Sequence, residues 1–243
     1  MPSQALWIDH KLPMTPKLLH LFYPPLCRHC GEDLGESSIL CKTCFSHLEM
    51  LDPAFHCPRC FSSRKPCKEC SKGYSPITAE AAAFEFIGPA KTLVHEFKFH
   101  QAPYLAKSLA SFLLMQWCKL HWPMPDSVVP VPSSAHRTFF RGYSPASLLG
   151  DVISSELHCP SLPILKRRFG DPPQTKLSLQ ERRALDADRF ILRSGFDVKD
   201  KIILLIDDVT TTGLTAKQCG FTLLAGYPKA IYLLTICKTF TNY

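Results

Sequence analysis

Apolar runs with the period of strands alternate with apolar runs with the period of helices over most of this chain. The predicted strands are Thr78–Phe86, Ser127–Val131, Ile202–Ile206 and Ala230–Ile236. The predicted helices begin near Gly88-Pro89 and Pro103, and a third covers Tyr143–Leu157. Strands that alternate with helices indicate an α/β fold, with a parallel twisted sheet and flanking helices.

The N-terminal third has a different pattern, because turn residues and cysteines replace the apolar periodicity. We predict a tail or short helix over residues 1–24, a metal-stapled double zinc-ribbon module over residues 25–74, and the α/β domain over residues 75–243. A length of 243 residues suits one such domain with a small added module. The module has few apolar residues, so we expect its metal to supply most of its folding free energy.

Cysteine spacing is the strongest signal in that module. Eight of the 12 cysteines form four Cys-x-x-Cys pairs: Cys27/Cys30, Cys41/Cys44, Cys57/Cys60 and Cys67/Cys70. Two such pairs complete a tetrahedral zinc site, so four pairs predict two sites. Disulfides are the alternative, but the spacing is awkward for them and no secretory signal precedes the pairs. Pairing in sequence order is the simplest arrangement, and a cross-braced one stays open.

The other four cysteines are Cys118, Cys159, Cys219 and Cys237. Each lies in an apolar segment, and we expect all of them to be ordinary core residues.

Chemistry is concentrated in residues 203–215, where a buried-strand pattern ends in Asp207 and Asp208. A loop with hydroxyls and a glycine follows, and then a helical pattern begins. Free N–H groups at a helix start, together with hydroxyl donors, fit a phosphate, while paired carboxylates fit vicinal sugar hydroxyls or a hydrated divalent ion. The loop residues in question are Thr210, Thr211, Thr212, Gly213 and Thr215.

The net charge of +7 and a pI near 8.8 favour a polyanionic partner. Basic residues are dense between Lys166 and Arg193, which indicates either a solvated face, contacts to diphosphate, or contacts to a nucleic-acid backbone. No window approaches the roughly 20 apolar residues of a membrane span. With no secretory signal in the sequence, we expect a cytoplasmic protein.

The segment from Ile203 to Thr215 resembles the binding motif for phosphoribosyl diphosphate (PRPP) in type I phosphoribosyltransferases. In order along the chain, further segments resemble the ComF (late competence protein F) family over about residues 18–237. These segments are Leu18–Cys27, Phe97-Lys98-Phe99, Val128–Pro132, Arg137, Arg141-Gly142-Tyr143, Gln174–Ser178 and Arg182-Arg183.

The resemblance implies a type I phosphoribosyltransferase fold that holds PRPP and Mg²⁺. Asp207 and Asp208 would take the ribose hydroxyls and help hold magnesium indirectly, and the loop over Thr210–Thr215 would take the 5′-phosphate. Pro132, Ser133 and Ser134 match the position of a diphosphate loop. The implied catalytic set is completed by three cations, of which the arginines would neutralise the leaving diphosphate: Arg137, Arg141 and Lys98.

Two departures from the family pattern bear on turnover. Ser144-Pro145 stands where the family usually has Asn-Gln, and Leu185 replaces an Asn. The resemblance implies a protein that binds PRPP and handles single-stranded DNA during competence, with the DNA-uptake machinery as a partner. The alternatives are an active phosphoribosyltransferase with an unidentified small acceptor, and a PRPP sensor without turnover.

Overall fold

Two compact units make up the chain, residues 1–46 and residues 47–243. The computed structural model describes residues 25–34, 39–63, 67, 70, 74–168 and 189–240. The boundary between the units lies inside the module predicted over residues 25–74, so the second set of four cysteines belongs to the larger unit. The predicted domain bounds stay a prediction.

The described residues of the smaller unit, 25–34 and 39–46, form a tight turn and one short helix. Leu26 and Asp33 form an antiparallel bridge that closes the turn carrying Cys27 and Cys30. Gly31 adopts a φ of +77°, which only a glycine reaches without strain. The helix α1 covers Lys42–Ser46 and carries Cys44.

The larger unit is built on a four-stranded parallel sheet in the order β1-β6-β5-β2. Its strands are β1 (Ala79–Glu85), β2 (Ser127–Pro130), β5 (Ile202–Thr210) and β6 (Ala230–Lys238). A separate antiparallel pair consists of β3 (Leu165–Arg167) and β4 (Phe190–Leu192). The helices are α2 (Gly88–Phe99), α3 (Leu105–Leu120), α4 (Ala135–Arg141), α5 (Pro145–Glu156) and α6 (Leu214–Leu224), with a 3₁₀ turn at Pro53–Phe55.

Burial on both faces explains the continuous apolar run of β5. Ile203 and Leu205 belong to a core cluster with Cys219 and Leu223 of α6. Leu204 and Ile206, which alternate with them along the strand, are also fully buried. The predicted fold class is confirmed: a parallel sheet has flanking helices, and two four-cysteine groups in the N-terminal part are consistent with zinc ribbons.

The structure differs from the sequence-based expectations at three secondary-structure features and at two cysteines. β5 continues past the carboxylates, because Asp207, Val209 and Thr210 still pair with β6. The helix α4 and the β3–β4 pair were not predicted. Cys118 is exposed rather than a core residue, and Cys159 is only partly buried, whereas Cys219 and Cys237 are buried as expected.

None of the helices in the described parts of the chain combines the length and the hydropathy that a membrane crossing requires.

Candidate functional site

A cleft of about 660 Å³ lies at the carboxyl ends of β2 and β5. In open α/β sheets, this edge is where ligands bind. Four cations and two carboxylates line the cleft, together with the loop after β2 and the start of α6. The lining residues are Lys98, Phe99, Gln101, Val131, Pro132, Ser133, Ser134, His136, Arg137, Phe140, Arg141, Arg167, Asp207, Asp208, Val209 and Thr215.

Asp207 and Asp208 occupy successive positions of β5, so their side chains leave opposite faces of the sheet. Asp208 meets α2, where the Lys98 Nζ atom lies 2.6 Å from its Oδ1 atom. Asp207 lies on the side of α6 and accepts a hydrogen bond of 2.8 Å from the backbone N–H of Asp208. The structure therefore brings together two predicted carboxylates and the predicted Lys98.

Burial and the neighbouring Asp208 carboxylate raise the pKa of Asp207 to about 8, against the opposing effects of the Asp208 N–H and the Lys98 cation. A carboxyl group in this environment becomes ionised more readily when a cation or a set of hydroxyl donors approaches it. Asp207 also contributes, after burial itself, to the raised pKa of Cys219.

The predicted phosphate loop begins one residue later than expected. Thr210 belongs to β5, is only 5% exposed, and accepts a backbone hydrogen bond of 2.9 Å from Thr239, so its placement in the loop is wrong. Gly213 adopts a φ of +70° and caps α6 without a side-chain hydrogen bond. Thr211 and Thr212 are exposed, and Thr215 lines the cleft.

The loop after β2 leads directly into α4. Pro132, Ser133 and Ser134 all line the cleft, and the Ser134 hydroxyl caps α4 by accepting a hydrogen bond of 3.4 Å from the Arg137 N–H. Ser133 Oγ lies 3.4 Å from Ser144 Oγ, and Ser144 caps α5 with Pro145 in its first turn. The unusual Ser144-Pro145 pair therefore forms a well-capped helix start next to the cleft loop. Leu185, the second departure, lies outside the described residues.

Both predicted arginines of α4 reach the cleft, and Arg167 of β3 joins them. Arg137 is exposed, whereas Arg141 is partly buried with its guanidinium 5.4 Å from the centre of the Phe99 ring. These cations stand at the same end of the sheet as the two carboxylates, so the cleft offers both signs of charge to one ligand.

Sequence reasoning missed three kinds of cleft residue: Arg167, which was counted only in the basic segment, the aromatic residues Phe99 and Phe140, and His136. A helix signal was present for α4. Ser134 is an N-cap type of residue, and Gly142, with a φ of +81°, follows the helix as a C-terminal glycine.

The basic segment is only partly described. Its outer members Lys166, Arg168 and Arg193 are exposed, and Lys176, Arg182 and Arg183 lie outside the described residues, as does Gln174–Ser178. Two phenylalanines each follow a cysteine of the two four-cysteine groups directly. Phe45 is 58% exposed, whereas Phe61 is 1% exposed and stacks on His56 at 4.6 Å, so Phe61 is a core residue.

The eight predicted ligands form two groups in sequence order, Cys27/Cys30/Cys41/Cys44 and Cys57/Cys60/Cys67/Cys70. Within each group the ligand atoms all lie within 4.8 Å of one another, and the cysteines are free thiols. Four sulfurs at about 2.3 Å from a tetrahedral zinc ion are about 3.8 Å apart. The Sγ–Sγ separations of 3.7 Å for Cys30–Cys41 and Cys57–Cys70 are close to that value, whereas the Cys60–Cys67 separation of 3.2 Å is shorter.

One thiol in each group ionises more readily than an ordinary cysteine. Burial opposes the ionisation of Cys27 and of Cys67, but hydrogen bonds outweigh it and lower the pKa of each thiol to about 6. Burial and the neighbouring sulfurs raise the pKa of Cys44 and of Cys70. A divalent metal would overcome that penalty, since thiolates are its ligands.

The second cysteine group is joined to the sheet of its own unit. Lys238 of β6 donates a hydrogen bond of 2.7 Å to the Cys60 carbonyl, and its Nζ atom lies 3.3 Å from the Glu80 carboxylate. The backbone N–H of Glu80 donates to the Arg59 carbonyl at 2.9 Å. The same Glu80 carboxylate lies near Gly213 of the predicted phosphate loop, at 3.9 Å from the position of an added Cβ. The cysteine turn and the cleft loop thus share Glu80 as a neighbour.

Comparison with known proteins finds relatives along nearly the whole chain, although no family model matches it. The DNA utilization protein YhgH of Escherichia coli K12 is 27% identical over 231 residues, which covers 90% of this chain and 99% of that protein. Competence protein F of Haemophilus influenzae is 28% identical over 205 residues, covering 81% and 90%. Competence protein ComFC of Streptococcus pneumoniae is 28% identical over 190 residues, covering 76% and 80%. These relatives support the resemblance of the chain to the ComF family.

Solved structures similar to this chain are more distant in sequence. The allosteric regulatory enzyme of purine biosynthesis has a TM-score of 0.41 and 16% identity, over 58% of this chain and 30% of that chain. Adenine phosphoribosyltransferase of Leishmania tarentolae has a TM-score of 0.35 and 17% identity, over 57% and 73%.

Proposed function

We propose that the cleft binds PRPP with Mg²⁺ and that the protein handles single-stranded DNA. The observation that carries the first part is the arrangement of charge at one sheet edge. The carboxylates of Asp207 and Asp208 lie beside the start of α6, and the cations of α4 and β3 line the same cleft. A ribose with vicinal hydroxyls, a phosphate and a diphosphate presents the complementary set of groups.

Each residue has a distinct role in this proposal. The carboxylates accept hydrogen bonds from the ribose hydroxyls, and the loop after Thr210 donates to the 5′-phosphate. Arg137 and Arg141 balance the charge of the diphosphate. Transfer of a ribosyl group develops positive charge on the sugar and negative charge on the leaving group, so carboxylates near the one and arginines near the other would stabilise the transition state.

The second part of the proposal comes from the relatives. Two of them are named for competence and one for DNA utilization. The net charge of +7 is favourable for a polyanionic partner. We further propose that the two cysteine groups hold two structural zinc ions, and that the protein works in the reducing cytoplasm, where such thiolates persist.

Calorimetry with PRPP, in the presence and absence of Mg²⁺, tests the cleft. We expect Asp207→Asn combined with Asp208→Asn to abolish most of the binding, because each charge-assisted hydrogen bond contributes about 1.5–3 kcal/mol. Asp151→Asn, an exposed carboxylate on α5, is the matched control and should bind like wild type. Equal affinity for wild type and the double variant would reject the assignment of the carboxylates.

Release of diphosphate separates an enzyme from a sensor. An active phosphoribosyltransferase releases diphosphate when its acceptor is present, whereas a sensor binds PRPP without releasing it. Incubation with PRPP, Mg²⁺ and a single-stranded oligonucleotide, followed by measurement of diphosphate, tests whether nucleic acid acts as the acceptor.

A further inference from the structure

An exposed strip of aromatic rings and cations borders the cleft. At the end of α2, the rings of His95 and Phe99 are 4.8 Å apart, and those of His95 and His100 are 5.3 Å apart. On α4, His136 and Phe140 are 4.5 Å apart, and Phe139 and Phe140 are 5.7 Å apart. We name as the aromatic strip the residues His95, Phe99, His100, His136, Phe139, Phe140 and Arg141.

Exposure makes this strip unusual. Phe99, Phe139 and Phe140 are 63%, 83% and 69% exposed, so three large apolar rings face solvent at one place. A polar residue at these positions would avoid the unfavourable hydration of apolar surface. Arg141 lies over the Phe99 ring and so links the α2 part of the strip to the α4 part.

The strip includes residues outside the cleft, both near the end of α2 and on α4. Phe99, His136, Phe140 and Arg141 line the cleft, whereas Phe139, His95 and His100 do not. A small acceptor in the cleft would contact only the first set. A longer chain bound along the strip would also contact the rings outside the cleft, so the extent of the strip favours a polymer.

We propose that the aromatic strip is a base-stacking surface for single-stranded nucleic acid. Unpaired bases stack on exposed aromatic rings with little sequence preference, and the arginines between the rings attract the phosphates. Arg137 supports this arrangement, because its side chain is exposed on the same helix and, among the described residues, its guanidinium has no ion pair. The inference rests on the DNA part of the proposed function and adds the location and the mode of binding.

Two labelled oligonucleotides of equal length distinguish stacking from charge. One is oligo-dT, and the other is an abasic strand with the same phosphates. Fluorescence anisotropy should show tighter binding of wild type to oligo-dT. The double variant Phe139→Leu with Phe140→Leu should lose about tenfold or more in affinity for oligo-dT and little for the abasic strand, because stacking contributes about 1–3 kcal/mol per base.

Controls separate the strip from general effects. Phe55→Leu, at an equally exposed ring outside the strip (73%), should bind oligo-dT like wild type. Phe140→Trp should retain the preference for bases. Zinc content and melting temperature report whether each variant is folded.

Several results would overturn the inference. If wild type binds oligo-dT and the double variant binds it equally well, the strip is not the surface, while the DNA function stands. If wild type binds neither oligonucleotide, the inference and the DNA function fall together, and PRPP binding is unaffected. If the double variant changes self-association in sedimentation instead of DNA binding, the strip is a protein interface.

Discussion

The two cysteine groups have the same donor set and the same turn, yet they are supported differently. In the first, Gly31 follows Cys30 with a φ of +77°, and in the second, Phe61 follows Cys60 with a φ of +53°. In both turns, the N–H of this residue donates to the carbonyl of the first cysteine at 2.9 Å. The first turn uses a residue without a side chain, whereas the second accepts an unfavourable backbone conformation and buries a phenyl ring. A Cys-x-x-Cys turn can therefore be either a self-contained local structure or a part of a larger hydrophobic core.

Removing each metal site in turn gives the largest expected effect. Cys57→Ser with Cys60→Ser should release one zinc ion, lower the melting temperature of the larger unit and weaken PRPP binding, because the Cys60 turn is bonded to β6. Cys27→Ser with Cys30→Ser should also release one zinc ion but leave PRPP binding unchanged. Zinc contributes about 10–16 kcal/mol to folding in isolated zinc-finger peptides.

Metal analysis, calorimetry and thermal unfolding of the two variants check this prediction. Wild type should contain two zinc ions per chain. Equal loss of PRPP affinity in both variants would contradict the difference between the groups, and a wild-type content near one would mean that one group has another purpose.

The residue after the second cysteine gives the next largest effect. Phe61→Gly relieves a left-handed conformation that costs about 1–2 kcal/mol, but it deletes a fully buried ring whose loss costs about 3–5 kcal/mol. We expect a net destabilisation of about 1–4 kcal/mol in urea unfolding. Gly31→Ala in the first group should cost only about 1 kcal/mol, since an added Cβ meets no atom within 4 Å and only the backbone is strained. Stabilisation by Phe61→Gly would show that the ring contributes little.

The features that the sequence predicts are those set by local patterns, and the features it does not predict are those set by contacts between distant segments. Cys-x-x-Cys spacing predicts the ligands, and apolar runs predict the sheet strands, because both signals are local. The left-handed Phe61 and the pairing of Glu80 with Lys238 depend on contacts between distant segments, and no local pattern indicates them. β5 was predicted too short because acidic residues normally end an apolar strand, whereas here pairing with β6 continues through Asp207 to Thr210.

The response to pH should separate the cleft from the cysteine groups. Asp207, with a pKa of about 8, holds a proton in the folded protein that the unfolded chain releases near pH 4. The contribution of this carboxyl group to the free energy of unfolding is therefore greatest below about pH 4 and is lost as the pH rises towards 8. Zinc binding has the opposite pH dependence. It weakens as the pH falls, because the thiolate ligands are then protonated.

Asp207→Asn isolates the carboxyl contribution. Without ligand, the variant should be more stable than wild type at pH 8 by on the order of 1–3 kcal/mol, and the difference should vanish near pH 4. Thermal unfolding at several pH values measures it. Asp208→Asn is the control. It removes the ion-pair partner of Lys98, so it should lower the stability instead. A constant difference between Asp207→Asn and wild type at all pH values would reject a raised pKa.

The smallest expected effect comes from the contacts of Lys238 and Glu80, which connect the second cysteine group to the cleft. Lys238 is 12% exposed at its side chain and contacts both the Cys60 carbonyl and the Glu80 carboxylate. Lys238→Met keeps the length of the side chain but leaves both acceptors without their donor, and Glu80 lies beside Gly213 of the proposed phosphate loop. We expect a three- to tenfold loss of PRPP affinity, or about 0.7–1.4 kcal/mol, with zinc content still at two.

Combining Lys238→Met with Glu80→Gln should restore part of the affinity, because it removes the unpaired buried charge. Lys217→Met, an exposed lysine of α6, is the matched control. If Lys238→Met binds PRPP like wild type, the cysteine turn supports the sheet alone, and the second group differs from the first in stability but not in function.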